Sequence, residues 1–160
     1  MKIHFELNGK DVVVDAPPEQ TLMSLLRDTL RLMGTKQGCD VGECGTCSVL
    51  VNDQLMKSCI MLAVQVEGCR VRTIEGLASE EGEPNDMQQA FLDSGAVQCG
   101  FCTPGMILAG EALLIENAAP SREEIREAIS GNLCRCTGYQ QIVDAIEDTA
   151  EGRRKGGEVA

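Results

Sequence analysis

Residues 3–8 alternate in the way a half-buried strand requires: Ile3, Phe5 and Leu7 are apolar, and His4, Glu6 and Asn8 between them are polar. Asn8-Gly9 is a favoured two-residue hairpin turn, and Asp11 to Val14 supply the returning strand. Beyond Pro17-Pro18 the period changes. Thr21 is placed to cap a helix whose Leu22, Leu25, Leu26 and Leu30 share one face. A cysteine-rich loop comes next, and then the strand-like stretches SVLVN and CRVRTIE. The first half therefore reads as a helix resting on a small mixed sheet.

From about residue 79 the texture changes. SEEGEPND is polar and turn-rich, a connector. Four helices are expected after it. Asn85 with Gln88 opens the first, Met106 to Glu116 forms the second, and the Ser121–Glu124 capping box opens the third, which Gly131 closes. Thr137 to Gln140 caps the fourth, which runs through Ile142, Ile146 and Ala150. The terminal EGRRKGGEVA carries no pattern, and 153–160 is expected to be a flexible tail. The fold class is α+β, with a β-rich unit over 1–78 and an all-helical unit over 79–152.

Composition raises the question of what stabilises two units of about 75 residues each, a size at which hydrophobic burial alone is marginal. Only 2% of the 160 residues are aromatic, and there is no Trp. Nine cysteines offer an answer. Their number is odd, and the opening MKIHFELNGK has neither a basic stretch nor an apolar core, so a secreted disulfide framework is not expected. The longest apolar run, MILAGEALLI, is too short to span a bilayer and contains Glu111. A cytoplasmic chain with clustered thiols binds metal or carries out redox chemistry. The net charge of −11 argues against nucleic acid as a partner.

Eight of the nine cysteines fall into two quartets, one per unit. The first is Cys39-x4-Cys44-x2-Cys47-x11-Cys59, and the second is Cys99-x2-Cys102-x31-Cys134-x-Cys136. Four thiolates serve zinc or iron–sulfur clusters. The C-x4-C-x2-C run is that of plant-type two-iron proteins, although the fourth cysteine here lies closer than in those. Gly38, Gly42 and Gly45 let backbone N–H groups turn toward such a centre. The second spacing matches neither ferredoxins nor common zinc fingers and leaves both metals open. A Rieske centre needs two histidines, and His4 stands alone. Cys69 belongs to neither quartet and reads as a small packed residue. No nucleophile–base pair or phosphate-cradling loop is visible, so two redox centres without a substrate site describe an electron wire.

The segments QGCDVGECGTCSVLVN, AVQCGFCTPGMILAGEALL and GNLCRCTGYQQIVDAI resemble the [2Fe-2S] subunit of the molybdenum hydroxylase family. That family includes xanthine dehydrogenases, aldehyde oxidoreductases, carbon monoxide dehydrogenases and bacterial N-heteroaromatic hydroxylases. The resemblance runs from residue 2 to about 150. It implies a β-grasp, plant-ferredoxin-like domain with one [2Fe-2S] cluster on Cys39, Cys44, Cys47 and Cys59. It further implies a four-helix bundle with another on Cys99, Cys102, Cys134 and Cys136. Gln98 matches a glutamine that hydrogen-bonds molybdopterin on a large partner subunit, and Cys136 matches the ligand nearest that pterin. Electrons would leave toward FAD, usually on a medium subunit. The stretches VGECG and AVQCG are more similar to purine and N-heteroaromatic hydroxylases than to carbon monoxide dehydrogenases. Aldehyde, carbon monoxide or hydroxybenzoyl-CoA enzymes remain open, as do a free-standing ferredoxin and a two-site zinc protein.

Overall fold

The alternation at the start of the chain produces strand β1, Lys2–Leu7, whose Ile3, Phe5 and Leu7 are buried. Asn8 and Gly9 take φ of 51° and 79°, and β2, Lys10–Asp15, returns antiparallel with Leu7 opposite Lys10. The structure is a computed structural model and describes residues 1–157. The Thr21 hydroxyl accepts from the Ser24 N–H at 3.2 Å and starts α1, Leu22–Ser24, which widens at once into a π-helical turn over Leu25–Thr29. Leu22, Leu25 and Leu26 are fully buried by this short piece.

Strands β3, Ser48–Val51, β4, Gln54–Lys57, and β5, Arg70–Arg72, complete a five-stranded sheet of order β2-β1-β5-β3-β4. Only β1 and β5 are parallel. The hydrophobic pattern does not predict β4. Asn52 and Asp53, at φ of 49° and 67°, make a second tight turn without glycine, and the strand after it alternates too weakly to stand out. CRVRTIE is shorter than expected, with only Arg70–Arg72 in the sheet.

Four longer helices follow: α2, Asp86–Asp93, α3, Thr103–Glu116, α4, Arg122–Ala128, and α5, Gln140–Gly157. The expected capping boxes are both formed, Asn85 with Gln88 and Ser121 with Glu124. Three expectations need correction. Helix α3 starts a turn early because Pro104 suits its first positions. Gly131 does not close α4, which ends at Ala128 with Ile129 as its cap. The tail expected to be flexible from 153 is helical to Gly157, since Arg153 is held by Asp86 at 2.7 Å and by Glu111 at 2.8 Å. Residues 158–160 lie outside the described part.

The architecture is α+β with two apolar cores. One joins the sheet to α1 through Phe5, Leu22, Leu26, Val49 and Val71, and the other unites the helices through Phe91, Met106, Ile125, Ile142 and Ile146. Helix α3 also lies across β3 and β4, so the cores adjoin. Among the described residues no helix is long and apolar enough to cross a membrane.

Candidate metal centres

The first quartet lies on the loop before β3 and on the short helical turn Ser58–Ile60 after β4. The hairpin itself brings the two pieces together. Ser58 donates its N–H and its hydroxyl to the Cys47 carbonyl, the latter at 2.7 Å, and this fastens Cys59 beside Cys47. Both thiols are buried. The loop turns through Gly42 and Gly45, at φ of 80° and 75°, conformations that cost a side chain strain. Its backbone faces inward: Glu43 N–H and Cys44 N–H approach Cys39 Sγ at 3.3 and 3.4 Å, and Thr46 Oγ1 lies 3.2 Å from Cys44 Sγ.

These donors set the acidity of the thiols. The backbone N–H of Cys44, followed by that of Val41, holds Cys39 down at about 6. Burial pushes Cys59 up to about 11, helped by the neighbouring Cys47 thiol. Half-buried Lys57 stands among them. Burial draws its pKa down, opposed by the charges of Cys47, Cys44, Cys59 and Cys39.

The second quartet is built on two helix starts. Cys102 is the residue before α3, and Cys134 and Cys136 occupy the loop ahead of α5, so the positive ends of both helix dipoles point toward it. Thr137 places its hydroxyl 3.1 Å from Cys134 Sγ, and the Cys134 N–H donates to the Tyr139 hydroxyl at 2.9 Å. Tyr139 pays for that reach with a φ of 72°. Burial pushes Cys102 up to about 12. Burial also works most strongly against ionising Cys134, but hydrogen bonds from Thr137 and Cys136 outweigh it and its pKa falls. Cys99, Cys136, Gln98 and Phe101 are all exposed.

Within each quartet the thiols perturb one another. Cys39 interacts with Cys44, and Cys47 with Cys59. Cys102 interacts with Cys134, and Cys99 with Cys136. Among the described residues, no three Cys, His, Asp or Glu side chains converge so as to hold one metal ion. A single tetrahedral zinc needs four donors around one point, whereas a two-iron core takes two thiolates on each iron. All nine cysteines are free thiols, and Cys69 stays apart, its Sγ 3.8 Å from the Gln65 carbonyl.

The two loops also touch. The Leu133 N–H donates to the Cys44 carbonyl at 2.9 Å, and buried Asn132 donates Nδ2 to the Gly45 carbonyl at 2.9 Å. A Cβ on Gly105, in the first turn of α3, would stand 2.4 Å from that Gly45 carbonyl. Sequence reasoning missed Lys57, Asn132 and Thr137 in these surroundings. Asn132 and Thr137 flank the C-x-C pair and could have been suspected, but Lys57 looks in sequence like a solvated surface residue.

Residues 73–147 match the family described as [2Fe-2S] binding domain. The chain is 48% identical over 149 residues to the nicotinate dehydrogenase small FeS subunit of Eubacterium barkeri, covering 93% of this chain and 94% of that protein. It belongs to the iron–sulfur small subunits of the molybdenum hydroxylase family. Within this family of small subunits it is also 43% identical to the nicotine 6-hydroxylase small subunit of Paenarthrobacter nicotinovorans, over 92% of this chain and 88% of that one. Quinoline 2-oxidoreductase from Pseudomonas putida 86 contains a chain of the same shape, with TM-score 0.92, 49% identity and coverage of 98% and 97%. In aldehyde oxidoreductase from Desulfovibrio gigas the likeness, at TM-score 0.93 and 36% identity, covers 98% of this chain and only 17% of that longer one. As a member of the family, this small subunit is an electron-transfer component of a molybdenum-dependent oxidoreductase, with substrate chemistry on another chain.

Proposed function

We propose that the chain relays electrons singly through two [2Fe-2S] clusters, one held by Cys39, Cys44, Cys47 and Cys59 and the other by Cys99, Cys102, Cys134 and Cys136. The first cluster belongs to a β-grasp, plant-type ferredoxin-like domain over 1–78, and the second to a four-helix-bundle domain over 79–152. Four free thiols in each quartet and the match of residues 73–147 to a [2Fe-2S] binding domain support the cluster type. The observation that carries the relay is the hydrogen bond from Leu133 N–H to the Cys44 carbonyl at 2.9 Å, one residue from Cys134. It joins the two ligand loops directly, so the quartets are neighbours in one path.

In this reading the second quartet receives electrons. Cys136 and Gln98 are exposed and free to meet a large molybdopterin-binding subunit, where Gln98 supplies a side-chain amide for the pterin. The metal centres supply one-electron redox steps. The chain holds them in place, supplies N–H and hydroxyl groups to the sulfurs and excludes water from Cys47 and Cys59. The exit lies at the first quartet, toward FAD on a medium subunit or another acceptor in the cytoplasm. The names of the relatives, which include nicotinate, nicotine and xanthine enzymes, favour an N-heteroaromatic or purine substrate for the complex.

The test is anaerobic reduction by substrate. The chain is isolated with its accompanying subunits, iron, molybdenum and flavin are quantified, and nicotinate, xanthine and quinoline are added in turn. Bleaching of the visible cluster absorbance by one of them supports the relay. Bleaching by dithionite but by none of these substrates would remove the substrate assignment, and recovery of the chain alone under mild isolation would favour a free-standing carrier.

A further inference from the structure

Lys57 ends β4 and pairs across the hairpin with Ser48, the residue after Cys47, and Cys59 follows two residues later. Its ammonium has three N–H donors, and three acceptors receive them: Ser48 Oγ at 3.1 Å, the Gly131 carbonyl at 2.9 Å and Asn132 Oδ1 at 3.2 Å. Two of these acceptors lie on the segment that leads into Cys134, so the cation is fixed at the junction between the quartets. Asn132 is itself tied to Ser48 Oγ at 3.2 Å and to the Gly45 carbonyl. Through Ser48, the neighbour of Cys47, and through its own place two residues before Cys59, the cation adjoins two ligands of the first quartet. An exposed lysine would swing in water and be screened, whereas one with every donor engaged keeps its position.

We infer that Lys57 is a potential-setting residue: its fixed positive charge makes the first cluster easier to reduce and so favours electron flow from the second quartet to the first. The argument is electrostatic. Reduction adds one electron, hence one negative charge, to a four-thiolate centre, and a nearby fixed cation stabilises the reduced form more than the oxidised one. Lys57 is not itself a ligand, and it also positions the loop carrying Cys134. The inference rests on the two-cluster reading above.

The test is an EPR-monitored redox titration of the complex containing Lys57→Gln, Lys57→Arg or the unaltered chain. The signal perturbed by Cys44→Ser identifies the first cluster. Lys57→Gln is expected to make that cluster about tenfold harder to reduce at a fixed potential, ~59 mV for one electron, and to move the second cluster less. Lys57→Arg, which keeps the charge, is expected to restore most of the shift. An unchanged first potential in Lys57→Gln, equal shifts of both clusters, or an arginine variant as altered as the glutamine one would overturn the inference. Iron content separates the two failures: full iron with an unmoved potential defeats the role of Lys57 alone, and missing iron in the unaltered chain defeats the cluster reading beneath it.

Discussion

The backbone N–H of Leu133 donates to the carbonyl of Cys44 at 2.9 Å, and that single bond ties the residue before Cys134 to a cysteine of the other quartet. Around it, Asn132 and Gly105 close on the Gly45 carbonyl, so the two cysteine loops form one rigid contact although they come from different cores. In the proposed relay this contact would hold the two centres at a fixed separation.

Gly45 is the position where this contact tolerates least. Its φ is 75°, and a Cβ there would stand 2.4 Å from the Gly131 carbonyl. Gly45→Ala combines backbone strain of about 1 kcal/mol or more with a clash against main chain that cannot rotate away. The expected outcome is loss of iron from the first quartet and a lowered melting temperature, read by metal analysis and circular dichroism. Gly152→Ala, in open space on α5, is the control and is expected to retain iron and melting temperature.

Tyr139 tests the second quartet separately. Its hydroxyl is the acceptor for the Cys134 N–H at 2.9 Å. Tyr139→Phe removes the acceptor and keeps the ring, at a cost of about 1 kcal/mol. The EPR g-values of the second cluster are expected to change while those of the first stay as they are.

Arg153 pins α5 to α2 and α3 through Asp86 and Glu111. The Arg153 side chain holds the Asp86 carboxyl below its ordinary value of 3.8. A depressed carboxyl stabilises the fold above its unfolded value and loses that contribution as pH falls through the folded one. Stability carried by this contact therefore declines only below about pH 4. Arg153→Met is expected to remove part of this acid sensitivity. At neutral pH it also leaves buried Glu111 facing Asn85 without its cation, a loss of about 2 kcal/mol, reduced from the fully buried range because Arg153 keeps a third of its side chain in water. The thermal midpoints of both proteins across this pH range check the claim, and Glu111→Gln added to Arg153→Met should recover part of the loss.

Cys69 is packed beside the sheet core, and its thiol makes only long contacts, to the Gln65 and Glu67 carbonyls. Cys69→Ser is expected to leave iron per chain and both EPR signals unaltered, with a stability change below roughly 1 kcal/mol. Loss of iron would assign it a role that its position gives no reason to expect.

What the sequence discloses here follows the range of the interaction. Asn8-Gly9, the Thr21 cap and the boxes at Asn85 and Ser121 are each completed by residues at most three positions away, so their chemistry is visible in a short window. The cysteine spacing is equally local within C-x4-C-x2-C. Strand β4 is defined by its pairing with β3, and the helical end of α5 by Arg153 reaching Asp86 and Glu111, so neither shows in local pattern. Lys57 meets Gly131 and Asn132 across more than seventy residues. Contacts of that kind exist only after folding.

The central claim is that both quartets hold two-iron clusters. The most direct test is metal analysis with spin-integrated EPR on the dithionite-reduced protein, isolated anaerobically with its partner subunits. The account predicts two irons per quartet, about four per chain, and two distinct [2Fe-2S] signals of equal intensity. Zinc in place of iron, or a single signal with half the iron, would contradict it.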